Sequence, residues 1–150
     1  MRNGGKGVSA TKAAWTNDHA RASTLALNAL RMLVATLLFI HGSSRFLKND
    51  VAGFGEFFVA HHLPAAGAWF ITALEILGTP LLALGRLIRP LALYFAAELT
   101  MGVVLVHAQH GWFVVGGGTN GMEYSVLLIG VFLAVAFAAP SSASERPLDP

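Results

Sequence analysis

Cysteine is absent from this chain of 150 residues. Without a thiol group, the chain cannot form disulfides, thiolate metal sites, iron–sulfur clusters, thioether-attached haem or a cysteine nucleophile. The absence is compatible with any redox compartment. It therefore excludes several kinds of redox and metal chemistry for the chain itself and leaves its location open.

Charged residues are scarce as well. They make up 12% of the chain, against 55% hydrophobic residues, and the mean hydropathy is +0.60. Ordinary soluble domains carry roughly 25% charged residues, and one soluble domain of this size could not bury so much apolar surface. We therefore predict an integral membrane protein with one compact domain. The sequence pI near 9.4 reflects a small excess of Lys and Arg. In a membrane protein such an excess usually sets the orientation in the membrane and does not indicate nucleic-acid binding.

Four apolar stretches follow a polar, glycine-rich N-terminal segment. They cover residues 23–41, 65–85, 87–107 and 122–139, each close to the ~20 residues that cross the hydrocarbon layer. We predict an all-α fold, a transmembrane four-helix bundle over residues 23–139. A disordered cytoplasmic tail is expected at residues 1–22 and a polar tail at residues 140–150. The short "GRLIRP" segment should join the second and third helices as a hairpin.

The distribution of basic residues predicts the orientation. Seven Lys and Arg residues fall on one side of the predicted bundle and two, Arg45 and Lys48, on the other. Because cytoplasmic loops carry the excess of Lys and Arg, both termini are expected in the cytoplasm. We predict a multi-pass protein of the cell (inner) membrane whose main partner is the lipid bilayer, with no nucleic-acid partner.

Three ionisable residues, Arg31, Glu75 and Glu98, fall near the middle of three different predicted helices. Each would cost at least ~2.5–3.5 kcal/mol at the bilayer centre if left alone. We therefore expect them to face inward and form a buried charge cluster, with one carboxyl group protonated. Two interpretations stay open: a site that handles protons or a polar ligand, and an ion-pair network that only fixes helix packing.

A second polar cluster is expected at the outer ends of the helices. It comprises His41, Arg45, His107 and Glu123; the first two lie four residues apart and share a helix face. A metal ion, a haem, a quinone headgroup or a proton exit would each use such residues, and so would polar side chains that satisfy one another near water. No ligand set with metal-site spacing is present, so we predict no metal site.

Several segments together resemble the DoxX-like family of four-helix membrane proteins, over about residues 25–139. These are "LRMLVATLLFIHGSSRF", "ALEILGTPLLALGRLIRPLAL", "VHAQHGWF" and "GMEYSVLL", in the family's order. The resemblance maps Arg31, Glu75, His107 and Glu123 onto the family's pattern. It implies the four-helix fold. Relatives in the family include membrane subunits of a thiosulfate:quinone oxidoreductase and proteins associated with redox or detoxification enzymes, and a distant branch acts in secretory cargo transport.

These observations favour a membrane subunit of a redox system. It would contact quinone, the candidate cofactor, and handle protons through Arg31, Glu75 and Glu98, with His107 or His41 bonded to a quinone oxygen. Electrons would come from a partner protein, and association with further copies is compatible with the sequence. The alternatives are a non-enzymatic membrane anchor or assembly scaffold and a small transporter, so catalysis by the chain itself is left open.

Overall fold

The computed structural model describes residues 5–139, with side chains from Trp15 onward. The predicted polar tail at residues 140–150 lies outside the described residues. Residues 5–139 form five α-helices: α1 (Gly5–Leu47), α2 (Val51–Ala60), α3 (Ala66–Ala83), α4 (Ile88–Gly102) and α5 (Glu123–Ala138). A π-helical turn (Val103–His107) and a 3-10 turn (Ala108–His110) continue α4. The prediction of an all-α fold is confirmed.

Three of these segments are long and apolar enough to cross a membrane: Trp15–Leu47, Ala66–Ala83 and Ile88–His110. The last helix, α5, is also strongly apolar but has only 16 residues. In the bundle, α1 and α4 each pack against both α3 and α5, and α2 packs against α3. Four helices therefore form the membrane bundle, and the short α2 lies beside one end of it.

The bundle core lies where α1, α3, α4 and α5 meet. Phe95 and Phe132 are fully buried, and their ring centroids are 5.5 Å apart. Val34, Leu38 and Leu82 belong to the same buried cluster. Because lipid tails are as apolar as these side chains, close packing rather than burial from water stabilises such a core.

The first helix is longer than the sequence predicts. It has 43 residues, about 65 Å at 1.5 Å per residue. It passes the predicted end at His41 and stops at Leu47. Residues 5–22 are predicted as a disordered tail, but in the structure they form the first part of α1. No helix begins or ends at the predicted boundary, residue 22. The domain division stays a prediction.

A tight turn joins α3 to α4, as "GRLIRP" predicts. Gly85 adopts a positive φ of 78°, a conformation that glycine enters at no steric cost. The amide of Gly85 donates to the carbonyl of Leu82, and that of Arg86 donates to the carbonyl of Leu81. This is the Schellman arrangement that satisfies the last carbonyls of a helix. The turn end of the bundle therefore lies opposite the α2 end.

Candidate functional site

A buried ion pair connects α1 to α3. Arg45 Nη1 lies 2.5 Å from Glu75 Oε2, and the two side chains are 12% and 2% exposed. The same Nη1 donates to the hydroxyl oxygen of Thr72 at 3.1 Å, and that hydroxyl donates to the carbonyl of Ala68. Glu75 therefore has a compensating cation inside the bundle, which a carboxylate at this depth requires.

Gly42 permits this approach of α1 to α3. A Cβ atom at Gly42 would lie 2.5 Å from the Cβ of Glu75 and 3.0 Å from its Oε2. Real side chains do not tolerate such contacts, so only glycine fits here. Small residues are enriched where membrane helices approach closely, and this one lies three residues before Arg45.

The short helix α2 covers the guanidinium. The Arg45 guanidinium carbon lies 4.2 Å from the centroid of the Phe54 ring, a distance at which a cation is attracted to an aromatic face. Phe54 also packs edge-on against Phe58, whose side chain is buried. The phenylalanines of α2 thus form a wall over the ion pair.

Glu98 brings a second carboxyl group to the pair. It projects from α4, and its carboxyl group interacts with that of Glu75 and with the hydroxyl of Tyr94, one turn away. Its Oε2 is buried and receives no hydrogen bond from the residues that the structure describes. The carboxyl group of Glu98 therefore lies next to that of Glu75, whose own partner is the Arg45 guanidinium.

These charged groups line a cavity of about 340 Å³ at the α2 end of the bundle. Its polar wall residues include His41, Arg45, Glu75, Glu98 and His107. The remaining wall is mainly aliphatic and aromatic, with side chains such as Leu38, Phe57, Ile71, Leu105, Val106 and Leu128. An apolar cavity with a few convergent polar groups is typical of a small-molecule site.

Members of both predicted clusters line one cavity. His41, Arg45 and His107, predicted at the outer helix ends, line the same cavity as Glu75 and Glu98. Glu123 is not part of the cavity wall. Its Oε1 accepts a hydrogen bond from the Val114 amide at 2.9 Å and so holds the 111–122 loop.

Arg31 does not belong to this cluster, and its predicted role as the cation of the carboxyl groups is wrong. Its Nη2 donates over 3.5 Å to the carbonyl of Ala83, and its guanidinium lies against Gly85. These residues mark the turn end of α3. Because α1 continues to Leu47, Arg45 rather than Arg31 is level with Glu75.

Exchange of Arg31 for methionine tests this correction. Arg31→Met removes one long hydrogen bond and leaves no carboxylate without its cation, so we expect a loss of about 1 kcal/mol or less in unfolding free energy. Unfolding of the purified protein by SDS in mixed micelles measures the change. A loss of several kcal/mol would instead mean that Arg31 neutralises a buried carboxylate.

Several residues of the site could not be predicted from the sequence. Thr72 and Gly42 contact the ion pair but have no chemical signature of their own, and Asn120 contributes only its backbone carbonyl. The spacing of Thr72 and Glu75 on one face of α3 is the single signal that could have linked them. Among the described residues, no group of three His, Asp or Glu side chains is arranged to hold a metal ion.

Comparison with known proteins gives the family. The DoxX family model matches residues 26–108, more than half of the chain, and the protein therefore belongs to the DoxX family. His41, Arg45, Glu75, Glu98 and His107 of the cavity wall fall within this range.

A particular relative is similar over a longer stretch. The Bacillus subtilis (strain 168) protein named "Putative oxidoreductase CatD" is 28% identical over 106 residues, which cover 71% of this chain and 75% of the relative. No solved structure matches the chain significantly. The fold and the family together define a multi-pass membrane protein with an oxidoreductase-named relative.

Proposed function

We propose that this DoxX protein is the membrane subunit of a redox system and that its cavity takes the ring of a quinone. One observation carries the proposal: an ion pair and a second carboxyl group lie in the wall of a mainly apolar cavity inside a membrane bundle. Intramembrane ionisable residues that face a cavity are typically functional. The oxidoreductase name of the relative supports the redox assignment.

The size and walls of the cavity suit one substituted ring. Its 340 Å³ is at the lower end of the ~300–1,000 Å³ that ligand sites occupy. The phenylalanines of α2 offer faces for stacking, and the aliphatic residues of α4 and α5 offer an apolar surface continuous with the lipid phase. A quinone partitions into that phase and would reach the site from the side.

The charges of the cluster suit proton transfer. Arg45 neutralises one carboxylate, so a single proton shared by Glu75 and Glu98 leaves the three groups neutral together. Release or uptake of that proton changes the cluster by one charge next to the bound ring. In this proposal a partner protein supplies the two electrons that reduce the quinone, while this chain supplies the binding site and one of the two protons, and the second proton comes from water.

A blocking variant tests the site directly. Gly102 lines the cavity, and a Cβ there would meet no atom within 4 Å, so the phenylalanine of Gly102→Phe can extend into the free volume. We expect wild-type protein to retain quinone through purification and to bind added decylubiquinone. We expect Gly102→Phe to lose both, as measured by chromatography of solvent extracts and by titration.

The matched control is Gly130→Phe. Gly130 is also free of atoms within 4 Å of a Cβ, but it lies on α5 outside the cavity wall, so ligand binding should persist. Wild-type protein that neither carries nor binds quinone would exclude the proposal and favour an anchor or scaffold. Equal binding by both phenylalanine variants would place the ligand elsewhere.

The membrane location and orientation are part of the same proposal. We assign the protein to the inner membrane with both termini in the cytoplasm, supported by the excess of Lys and Arg on that side. Because the chain has no cysteine, single cysteines placed in the 111–122 loop and in the α3–α4 turn can be labelled from each side. Labelling of the loop from the cytoplasm would reverse the orientation.

A further inference from the structure

The ring of His107 is held by a backbone carbonyl. Its Nδ1 lies 2.9 Å from the carbonyl oxygen of Asn120. A carbonyl oxygen can only accept, so Nδ1 must carry a hydrogen and donate it. In a neutral imidazole the other nitrogen, Nε2, then has a lone pair and accepts. The contact with Asn120 therefore fixes the tautomer of His107.

Two uncommon backbone conformations produce this contact. His107 ends the π-helical turn Val103–His107. Such turns are rare in proteins, and those that occur often lie at functional sites. Asn120 has a φ of 60°, which is uncommon for any residue other than glycine. Backbone hydrogen bonds from Gly121, Met122 and Glu123 to the segment 111–113 hold the loop around it. The surrounding structure thus maintains the orientation of the imidazole.

His107 lines the cavity, and no group among the described residues hydrogen-bonds its Nε2. The Arg45 guanidinium uses its Nη1 to donate to Glu75 and Thr72. Within residues 15–139, the wall at His107 therefore presents an unpaired acceptor, the Nε2 atom. A ligand that matches it must bring a hydrogen of its own.

We infer that the cavity recognises the reduced, hydroxyl-bearing form of the ring, a hydroquinone, in preference to the quinone. His107 accepts a hydrogen bond from a ring hydroxyl through Nε2, and the Asn120 carbonyl acts as the positioning group. A quinone oxygen has no hydrogen to donate and would place two acceptors against each other, an arrangement that leaves both unsatisfied. Recognition involves a hydrogen bond only, without electron transfer. This inference rests on the proposed quinone site and specifies its preferred redox form.

Comparison of the two redox forms tests the inference. The full-length protein in lipid nanodiscs is titrated with decylubiquinol and with decylubiquinone under argon, and each dissociation constant is determined by equilibrium dialysis. We expect the reduced form to bind about tenfold more tightly, the change that one ordinary hydrogen bond produces. His107→Phe keeps a planar ring without the acceptor and should bring the ratio of the two constants close to one.

His110 provides the matched control. Its Nδ1 makes the same type of bond, 2.8 Å to the Val106 carbonyl, but His110 is exposed and does not belong to the cavity wall. His110→Phe should leave the ratio of the two constants at the wild-type value. A ratio near one in this variant as well would remove the assignment to His107.

The possible failures are distinguishable. If neither form binds to wild-type protein, the proposed quinone site itself is excluded. If both forms bind equally, or the oxidised form binds more tightly, only the preference for hydroquinone is overturned. Nitrogen-15 NMR of histidine-labelled wild-type protein gives a reading that needs no variant: we expect hydrogen on Nδ1 of His107, and hydrogen on Nε2 would contradict the inference.

Discussion

Arg45→Met should lower the free energy of unfolding by about 3–5 kcal/mol, the usual loss when one partner of a buried ion pair is removed. Glu75 is 2% exposed and takes its hydrogen bond from Arg45. Without that guanidinium, its carboxylate stays among apolar groups with no compensating charge. Unfolding by SDS in mixed micelles, followed by circular dichroism, measures the loss.

A double variant separates the ion pair from general packing. Arg45→Met combined with Glu75→Met replaces the pair by apolar side chains of similar size, and such replacements are often close to neutral. We therefore expect the double variant to recover most of the stability lost in Arg45→Met. A double variant as unstable as the single one would show that Arg45 acts through its contact with Phe54 rather than through its charge.

Gly42→Ala should destabilise the protein by about 1–3 kcal/mol, the range for overpacking of a close contact. The new methyl group would meet the Cβ and Oε2 of Glu75 at 2.5 and 3.0 Å. Neither is the far end of a free side chain, because Oε2 is bonded to Arg45. The helices must therefore separate, and the ion pair and the cavity wall beside it must change together. Thermal unfolding and quinone binding should both respond.

Gly130→Ala is the control for this substitution. Nothing lies within 4 Å of a Cβ at Gly130, so the added methyl group should be neutral or stabilise α5 by up to ~1 kcal/mol through its helix propensity. If Gly42→Ala is tolerated as well as Gly130→Ala, α1 and α3 are not in the contact that the structure shows.

The fold could be predicted from the sequence because it depends on the overall charge content, the hydropathy and the lengths of the apolar stretches. Low charge, high hydropathy and four apolar stretches of nearly membrane-spanning length leave few alternatives to a helical membrane bundle. The same reasoning brings Glu75 and Glu98 to one level, since each falls near the middle of its predicted helix.

The cation of the site could not be chosen in this way. Arg31 and Arg45 are about four turns apart on α1, so they lie on nearly the same face and both point toward α3. Which one meets Glu75 depends on where α1 ends, and α1 continues past His41 and Gly42 to Leu47. Helix ends are the least certain part of such a prediction. Because α1 ends at Leu47 rather than at the predicted His41, the arginine that meets Glu75 is Arg45 and not Arg31.

The joining of the two predicted clusters depended on tertiary structure. His107 reaches the cavity through a π-helical turn, and no periodicity predicts a change from 3.6 residues per turn at that point. The covering of Arg45 by α2 depends on the path of the segment between α1 and α3. Neither feature is encoded in the spacing of the residues that it brings together.

The shortness of α5 has a consequence for the surrounding lipid. Its 16 residues extend about 24 Å, less than the ~30 Å thickness of a typical hydrocarbon layer. Acyl chains beside α5 must therefore compress, or the polar ends of the helix must enter the hydrocarbon, each at a modest energetic cost. Tyr124, Ser125 and Leu128 of the same helix line the cavity. Hydrophobic mismatch is thus concentrated next to the site, and phospholipids with shorter chains should relieve it.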